Sequence, residues 1–337
     1  MSDGMKTQKG RGSNWRFDWR RWLNVFGPAL GLVLVYTYFA VEAPKSFRSP
    51  ESLEMIARQT TIVGIAALGM TFVIISGGID LSAGSVVALS TVVIAWLLQH
   101  GGQGPAAAAL GGIAAGAFFG LVSGVLITRL KVVPFIVTLG MMLIVRGAAK
   151  GIGREQKIDV DIIRFKWLED LLASLPKEQG WMLVPPGVWV LIVLAAAMAG
   201  VLRYTRLGRH TFAIGSNEQT ARLCGVAVER VKVMIYTLCG AFAGLAGVMQ
   251  FSRLTVGDPT VAVGLELDVI AAVVIGGGSL SGGEGTIFGT LVGALIMTVI
   301  ASGCTQMGLA NWVQEIITGS IIIVAVALDR LRHRRTA

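Results

Sequence analysis

The sequence is poor in charged residues and in the residue types that form reactive or metal-binding sites. Only 15% of its 337 residues are Asp, Glu, Lys or Arg, whereas soluble domains average about 25%. Its three histidines and three cysteines (Cys224, Cys239 and Cys304) lie far apart, without the spacing of metal ligands or of a disulfide framework. This composition excludes an ordinary soluble domain. It also disfavours an enzyme embedded in the membrane, because no cluster of His with Ser, Cys or paired carboxylates is visible.

A nucleotide-binding loop is missing as well. The glycine-rich segment at 276–286 precedes an apolar run, as a phosphate-binding loop precedes its helix. Such a loop needs Gly-Lys-Ser/Thr, but no lysine follows here, and Glu284 places a negative charge where a nucleotide requires a positive one. We therefore expect the chain to hold no cofactor and no metal, and we expect ATP and magnesium to be bound by a partner ATPase if they are used at all.

Apolar residues, by contrast, are abundant: they make up 54% of the chain, and the mean hydropathy is +0.70. A helix needs about 20 apolar residues to cross a bilayer. The sequence predicts an all-α integral membrane protein with about ten transmembrane helices, in two related halves, with half-helices broken by glycine. The apolar runs are 22–41, 60–76, 85–99, 105–128, 132–149, 187–204, 233–252, 267–278, 286–303 and 312–328.

Basic residues cluster beside the apolar runs. The formal net charge is +9, but this distribution follows the positive-inside rule and is not that of a nucleic-acid-binding surface. We expect contact with membrane lipid, none with nucleic acid, and both termini in the cytoplasm. The resulting division is a basic tail at 1–21, a transmembrane domain at 22–328 with an exterior loop at 150–186 and a cytoplasmic loop at 203–232, and a second basic tail at 329–337.

Glycines and a carboxylate interrupt the chain between the second and third apolar runs. Irregular backbone at membrane depth persists only where protein or a water-filled cavity surrounds it, and an ionisable residue there marks a functional site by default. The interruption spans 77–85 and contains Asp80. The alternative is an ordinary short turn with Asp80 or Ser82 as a helix cap. We favour a broken helix because both flanking runs are short, and we expect Asp80 to cap a half-helix rather than to contact a substrate.

A similar interruption recurs 199 positions further along the chain. Without gaps, five residues of the first interruption match five of the second: Gly77, Gly78, Leu81, Ser82 and Gly84 match Gly276, Gly277, Leu280, Ser281 and Gly283. Paired glycine-broken segments in two halves point to a transport pathway. The candidate pathway residues are Gly77, Gly78, Asp80, Ser82, Gly84, Gly276, Gly277, Gly278, Ser279 and Ser281.

The cytoplasmic loop contains a short helix with recognisable ends. Ser216 or Asn217 can cap its start, Glu218 favours its first turn, and Gly225 can end it in a left-handed conformation. The predicted helix has about eight residues, and its small apolar face consists of Ala221, Leu223 and Cys224. This pattern fits a surface connector and a helix that docks into a groove of another protein equally well.

Four segments in order carry a family resemblance. They read ALGMTFVIISGGIDLSAGS at 67–85, VPFIVTLG at 133–140, GSNEQTARLCGV at 215–226 and LELDVIAAVVIGGGSLSGG at 265–283. Together they make the chain resemble the permease subunits of ribose-type ABC importers, which depend on a binding protein and transport monosaccharides. The resemblance covers roughly 55–328 and leaves the N-terminal tail and the loop at 150–186 outside it.

The resemblance implies a permease in a bacterial cytoplasmic (inner) membrane that forms the pathway for a monosaccharide or related polyol. Its implied partners are a second permease copy or paralogue, an ATP-binding subunit and an exterior (periplasmic) sugar-binding protein. It also implies that the capped helix is the coupling helix that contacts the ATPase. The candidate coupling residues are Asn217, Glu218, Ala221, Arg222, Leu223 and Gly225; Gln219-Thr220-Ala221 departs from the paired alanines expected there.

Two other transporter classes fit part of this pattern. An ABC permease for branched-chain amino acids would need contacts for a zwitterion. An ion-coupled secondary transporter also uses broken helices, but it needs no ATPase and leaves the capped helix without a role. For two further polar residues we expect ordinary solvation: Arg146 reaches the membrane interface by snorkelling, and Asp268 lies near the end of a span.

Overall fold

The computed structural model describes residues 19–101, 104–161, 165–174 and 184–334. The predicted N-terminal tail, the last residues of the C-terminal tail and parts of the exterior loop therefore lie outside the described residues. The helices are α1 Trp19–Glu42, α2 Pro50–Ile75, α3 Ala83–Gln99, α4 Pro105–Leu130, α5 Pro134–Ile152, α6 Lys166–Asp170, α7 Pro186–Tyr204, α8 Arg206–Ser216, α9 Glu218–Leu223, α10 Val228–Leu254, α11 Leu265–Ile275, α12 Ile287–Gln306 and α13 Asn311–Arg334.

Six of the described helices are long and apolar enough to cross a membrane by length and composition: α2, α4, α5, α7, α10 and α12. Shorter apolar stretches lie in α1, α3 and α13, and α11 has 11 residues. The protein is therefore an all-α membrane protein, as expected. Six helices meet this criterion, so the predicted count of about ten is not reached on length and composition.

The first broken helix is longer than the sequence analysis predicted. Helix α2 begins at Pro50, ten residues before the apolar run, because Ser49 caps it by accepting a hydrogen bond from the Ser52 amide at 3.2 Å. Proline at the first helical position and Glu51 in the first turn favour the same start. The argument that both runs beside the first interruption are short is therefore wrong for α2, which has 26 residues.

Close packing of α4 against α10 depends on glycine. A side chain at Gly116 would overlap the Gly240 carbonyl oxygen, and one at Gly120 would overlap the Tyr236 carbonyl oxygen. In lipid, helices associate through close packing of small residues rather than through a hydrophobic driving force. The four-residue spacing of Gly116, Gly120 and Gly124 thus lets these two long helices lie backbone to backbone.

Helices α2 and α12 run antiparallel and are joined by buried threonine pairs. The hydroxyl groups of Thr60 and Thr298 lie 2.6 Å apart, and those of Thr71 and Thr290 lie 2.9 Å apart. Helix α2 ends at the first interruption and α12 begins at the second. Because the helices are antiparallel, both interruptions lie at the same end of the pair.

An irregular segment, 255–264, connects α10 to α11. Its first residues pair as a short strand, Val256–Gly257, with the antiparallel strand Ile158–Asp159. Thr255 and Ala262 adopt positive φ values of 60° and 59°. Such values are uncommon for residues other than glycine. The segment lies along α3, where the Thr91 hydroxyl accepts a hydrogen bond from the Asp258 amide at 3.2 Å.

Candidate functional site: two glycine breaks and a capped helix

The first interruption begins with a Schellman cap on α2. The Gly77 amide donates to the Ile74 carbonyl and the Gly78 amide donates to the Val73 carbonyl, both at 2.9 Å. Gly77 has a φ of +79°, the left-handed conformation that glycine adopts without a Cβ penalty. The cap satisfies the last carbonyl groups of α2, so the helix can end inside the protein without unpaired backbone groups.

The second interruption repeats this cap on α11. The Gly277 amide donates to the Val274 carbonyl at 2.9 Å, the Gly278 amide donates to the Val273 carbonyl at 2.8 Å, and Gly277 has a φ of +91°. The cap therefore equates Gly77 with Gly277. The ungapped alignment, which paired Gly77 with Gly276, is out by one residue here, because sequence identity scores the glycines but not their conformations.

After their caps the two interruptions differ. The first reaches α3 at Ala83, whereas the second continues to Thr286, which caps α12 by accepting from the Gly289 amide at 3.0 Å. The second also contains Gly282, Gly283 and Gly285, all with positive φ. Within it the Ser281 amide donates to the Ser279 hydroxyl oxygen at 3.2 Å. The second break is thus the longer one and the one with more positive-φ glycines.

Asp80 stabilises the first interruption but does not cap α3. Its Oδ1 accepts from the Ser82 amide at 2.8 Å and from the Ser82 hydroxyl at 2.6 Å, which forms an Asx turn. Ser82 occupies the N-cap position, and neither it nor Asp80 caps α3 through a side-chain hydrogen bond. The prediction of a structural role is consistent with this geometry, whereas the prediction that Asp80 caps the half-helix is wrong. The turn uses the carboxylate to close the loop before the helix starts.

The first interruption lies inside the ends of the neighbouring helices. The Thr138 hydroxyl donates to the Ile79 carbonyl at 3.2 Å, and Thr138 lies roughly 6 Å along α5 from its start at 1.5 Å per residue. The Tyr236 hydroxyl lies against Gly78, roughly 12 Å along α10 from its start. Its oxygen is buried without a hydrogen-bond partner among the described residues. Gly78, Asp80 and Ser82 are buried and Gly77 is exposed, so protein encloses most of the broken backbone, as irregular backbone at membrane depth requires.

The two interruptions contact each other directly. The Gly283 amide of the second donates to the carbonyl of Ile75, the last residue of α2, at 2.8 Å. A Cβ on Gly282 would lie 3.1 Å from the Gly77 Cα. The end of α8 completes this contact, because Gly215 lies against Ile75 and Gly283. Backbone of both interruptions and of α8 thus meets at one point, which sequence analysis did not foresee.

Helix α9 has the ends that the sequence predicts. The Asn217 side chain accepts from the Thr220 amide at 2.8 Å, and Glu218 lies in the first turn. Gly225 has a φ of +83°, and the Val226 amide donates to the Ala221 carbonyl at 3.1 Å, which forms a Schellman cap like those at the two breaks. The helix itself has six residues, two fewer than predicted, because this cap begins its closing turn at Ala221.

The predicted apolar face of α9 is divided between the interior and the surface. Ala221 is buried at 4% exposure and packs into the protein, whereas Leu223 is 88% exposed and Cys224 is exposed as well. The sequence analysis treated these three side chains as one face, which is wrong. A helix this short turns its neighbouring side chains to different sides, so Ala221 anchors the helix and Leu223 faces outward.

Ion pairs fix α9 to the start of α10. Glu218 accepts from the Lys232 ammonium at 2.6 Å and lies 3.6 Å from the Arg222 guanidinium. Arg222 also pairs with Glu229, and this hydrogen bond and charge raise the pKa of the Arg222 guanidinium. These groups are exposed or half-buried, so each pair contributes little stability alone. Together they hold the helix in one orientation.

A second group of polar residues lies further from the interruptions. Arg146 donates from Nη1 to the carbonyl oxygens of Pro259 and Val261 at 3.0 and 2.7 Å. Glu266 lies against Gly84 with a buried Oε2 that has no hydrogen-bond partner among the described residues. The expectation that Arg146 snorkels is therefore wrong, because its guanidinium binds carbonyls of the irregular segment. The sequence carried no signal for this contact, which joins residues over a hundred positions apart.

Asp268 lies two residues further along α11 and is only partly exposed. Asp268 lies near the start of α11, as expected for a residue at the end of a span. Its side chain is not fully exposed to solvent, however. Among the described residues, no group of three or more His, Cys, Asp or Glu side chains could hold a metal ion. The polar side chains described at this level are the carboxylates of Glu266 and Asp268 and the guanidinium of Arg146.

Comparison with known proteins decides the class. The sequence profile of the family described as branched-chain amino acid transport system / permease component matches residues 52–326. The chain belongs to this permease family. The matched range includes both glycine breaks and the capped helix.

Three curated relatives are similar over nearly the whole permease. The ribose import permease protein RbsC of Bacillus subtilis (strain 168) is 39% identical over 327 residues, 97% of this chain and 99% of that protein. The L-arabinose ABC transporter permease protein AraH of Azospirillum brasilense is 34% identical over 327 residues, which cover 97% of this chain and 92% of that protein. The fructose import permease protein FrcC of Rhizobium meliloti is 36% identical over 308 residues, which cover 90% of this chain and 84% of that protein.

Proposed function

We propose that this permease forms the translocation pathway of an ABC importer for a monosaccharide or related polyol. The observation that carries the proposal is full-length similarity to permeases named for ribose, arabinose and fructose import. The family description mentions branched-chain amino acids, but these relatives are named for sugars. Sugar import is therefore the better supported of the two substrate classes.

The proposed mechanism is alternating access driven from outside the chain. An ATPase subunit binds and hydrolyses ATP with magnesium, and it contacts the permease through α9. A second permease copy completes the pathway, and a binding protein delivers the sugar on the opposite side. The glycine breaks support this proposal because each lets a helix end inside the protein with its backbone carbonyls satisfied, so half-helices can shift without exposing unpaired groups.

The proposed topology places all ten long or apolar helices in the bacterial inner membrane: α1, α2, α3, α4, α5, α7, α10, α11, α12 and α13. Helices α3 and α11 are too short to cross alone, but each adjoins a break whose backbone is hydrogen-bonded within the protein. Both termini and the segment 203–232 face the cytoplasm in this proposal. The support is the basic charge beside α7 to α10 and at the C-terminus, which follows the positive-inside rule.

The test is transport in liposomes that contain the permease, its ATPase subunit and its binding protein. ATP hydrolysis and uptake of radiolabelled sugar are measured together for a panel of pentoses, hexoses and polyols, with leucine and isoleucine as competitors. We expect one sugar to stimulate hydrolysis and to accumulate in the liposomes only when ATP is present.

Two outcomes separate the proposal from its alternatives. Stimulation by leucine or isoleucine instead of a sugar would move the substrate to branched-chain amino acids. Uptake without the ATPase subunit, driven by an ion gradient, would establish a secondary transporter and contradict the assignment of α9. The matched control is an ATPase subunit with an inactive nucleotide site, which must abolish uptake while complex assembly persists.

A further inference from the structure

The end of α8 contacts the two glycine breaks where backbone meets backbone. Gly215 is the second-last residue of α8, and a Cβ on it would overlap the Ile75 carbonyl oxygen and lie 2.5 Å from the Gly283 amide nitrogen. A Cβ on Gly282 would lie 2.7 Å from the Gly215 carbonyl oxygen. A side chain as small as a methyl group therefore cannot fit at Gly215 or at Gly282. We call this meeting point the glycine junction, and it consists of Gly77, Gly215, Gly282, Gly283 and Ile75.

Helical backbone at Gly215 shows that packing, not conformation, requires glycine there. Its φ is not among the positive values of the described glycines, so an alanine could adopt the same helical conformation and would favour it by roughly 1 kcal/mol. Alanine is excluded only by the neighbouring carbonyl and amide groups. Substitution at this position therefore tests the contact itself.

Helix α8 is held at its other end as well. Gly208 lies so close to α7 that a Cβ would overlap the Leu202 carbonyl oxygen, and Thr205 caps α8 by accepting from the Gly208 amide at 3.3 Å. One residue, Asn217, separates α8 from α9. A displacement of α9 thus reaches the junction through one short helix that has little free space at either end.

We propose that the glycine junction makes the end of α8, the end of α2 and the second break move as one body, so that Gly215 positions both breaks for translocation. This inference rests on the proposed function. The hydrogen bond from the Gly283 amide to the Ile75 carbonyl joins the breaks, and Gly215 wedges α8 against both of its partners. Backbone contacts without intervening side chains transmit a displacement because protein interiors are close-packed and scarcely compressible.

The test is Gly215→Ala in liposomes with the ATPase subunit and the binding protein. We expect the variant to assemble with the ATPase subunit and to hydrolyse ATP, but to move fewer sugar molecules for each ATP. The expected fall in this ratio is about tenfold, within the range usual for coupling between two sites. The matched control is Gly200→Ala on α7, which is also helical and has no atom within 4 Å of an added Cβ; its ratio should equal that of the wild type.

Two results distinguish the inference from the proposed function. If the wild-type complex shows no sugar-stimulated hydrolysis, the proposed function fails. If the wild type couples hydrolysis to uptake and Gly215→Ala does so with the same ratio, the junction is not needed and the inference is wrong while the function stands.

A second variant decides the question if Gly215→Ala fails to assemble. Ser216→Cys replaces an exposed side chain whose oxygen lies 2.9 Å from the position of a Cβ on Gly283. It is made with Cys224→Ser, since Cys224 is the exposed natural cysteine and Cys239 and Cys304 are buried. The rate of thiol modification is compared in the complete complex without nucleotide and with ATP trapped by vanadate. A junction that moves as one body predicts rates within twofold of each other, and a several-fold increase on trapping would show that it opens and would overturn the inference.

Discussion

At the scale of single residues, one carboxylate closes the first break. Asp80 is buried, and its Oδ1 accepts hydrogen bonds from both the amide and the hydroxyl of Ser82. The same arrangement recurs at Asp258, whose Oδ1 accepts the amide and the hydroxyl of Thr260 at 2.8 and 2.6 Å. In both places an Asp-x-Ser/Thr turn shapes an irregular segment. This geometry assigns Asp80 a local task, and the Asp80 carboxylate also interacts with the Cys239 thiol of α10.

Asp80→Ala should destabilise the protein. It leaves the Ser82 amide and hydroxyl buried without their acceptor, which costs about 1–3 kcal/mol. A lower melting temperature of the purified permease in detergent, followed by intrinsic fluorescence, is the measurement. Asp80→Asn is the matched control, because its amide oxygen accepts the same hydrogen bonds and should preserve most of the stability. If Asp80→Asn keeps the melting temperature but abolishes uptake, the charge itself serves transport and the structural assignment is incomplete.

Sequence alone predicted the residues whose task is local. Asn217 and Gly225 were placed correctly at the two ends of α9, because capping depends on residues within one turn of the chain. Gly215 was not singled out as a contact residue, since a glycine inside a helical pattern shows no sign of what packs against it. The partners of Arg146, two carbonyls of the segment 255–264, were missed for the same reason.

At the scale of elements, Arg146 holds the irregular segment 255–264 against α5. Arg146→Ala removes two charge-assisted hydrogen bonds to carbonyl oxygens, each worth about 1.5–3 kcal/mol, and leaves those carbonyls without that donor. We expect faster proteolytic cleavage within 255–264 and a lower melting temperature, both measured on the permease in detergent. Lys150→Ala, at an exposed position of the same helix, is the control and should change neither. Equal cleavage rates for the two variants would contradict a positioning role for Arg146.

Helix α9 presents Leu223 outward while Ala221 and the ion pairs fix the helix. Leu223→Asp should weaken binding of the ATPase subunit about tenfold or more, because it places a charge in a contact that would bury an apolar side chain. Affinity is measured by titrating the ATPase subunit onto the permease in lipid nanodiscs. Leu223→Met conserves volume and apolar character and should bind as the wild type does. Binding unchanged by Leu223→Asp, with an unchanged melting temperature, would exclude this face of α9 from the contact.

Element boundaries show why the pattern of apolar residues is an incomplete guide. Hydropathy located the apolar runs but missed the first ten residues of α2, which mix polar and apolar side chains and follow the Ser49 cap. It also could not show that α11 starts after a folded irregular segment rather than at a membrane surface. The register of the two breaks was off by one residue, because the cap depends on φ at Gly77 and Gly277, whereas the ungapped alignment with more identical letters lies one position away.

At the scale of the whole molecule, α11 carries two carboxylates that lipid cannot accommodate. The Glu266 carboxylate packs inward against Gly84 with its Oε2 buried, whereas Asp268 is partly exposed. A carboxylate that faces lipid near the centre of the bilayer costs about 2.5–3.5 kcal/mol. We therefore expect the exposed side of α11 to face protein or water, and we expect a second permease copy across a shared pathway to supply both.

Leu267 lies between these carboxylates and is exposed, so it reports on the contact between copies. We expect Leu267→Cys to form an intermolecular disulfide in native membranes under mild oxidation, measured as a doubled mass on a non-reducing gel. Val193→Cys on α7, which is also exposed and is not flanked by charge, should remain monomeric. Cross-linking through Val193→Cys alone would place the second copy against α7. In that arrangement Asp268 would need a water-filled cavity within one copy, and each permease would contain its own pathway.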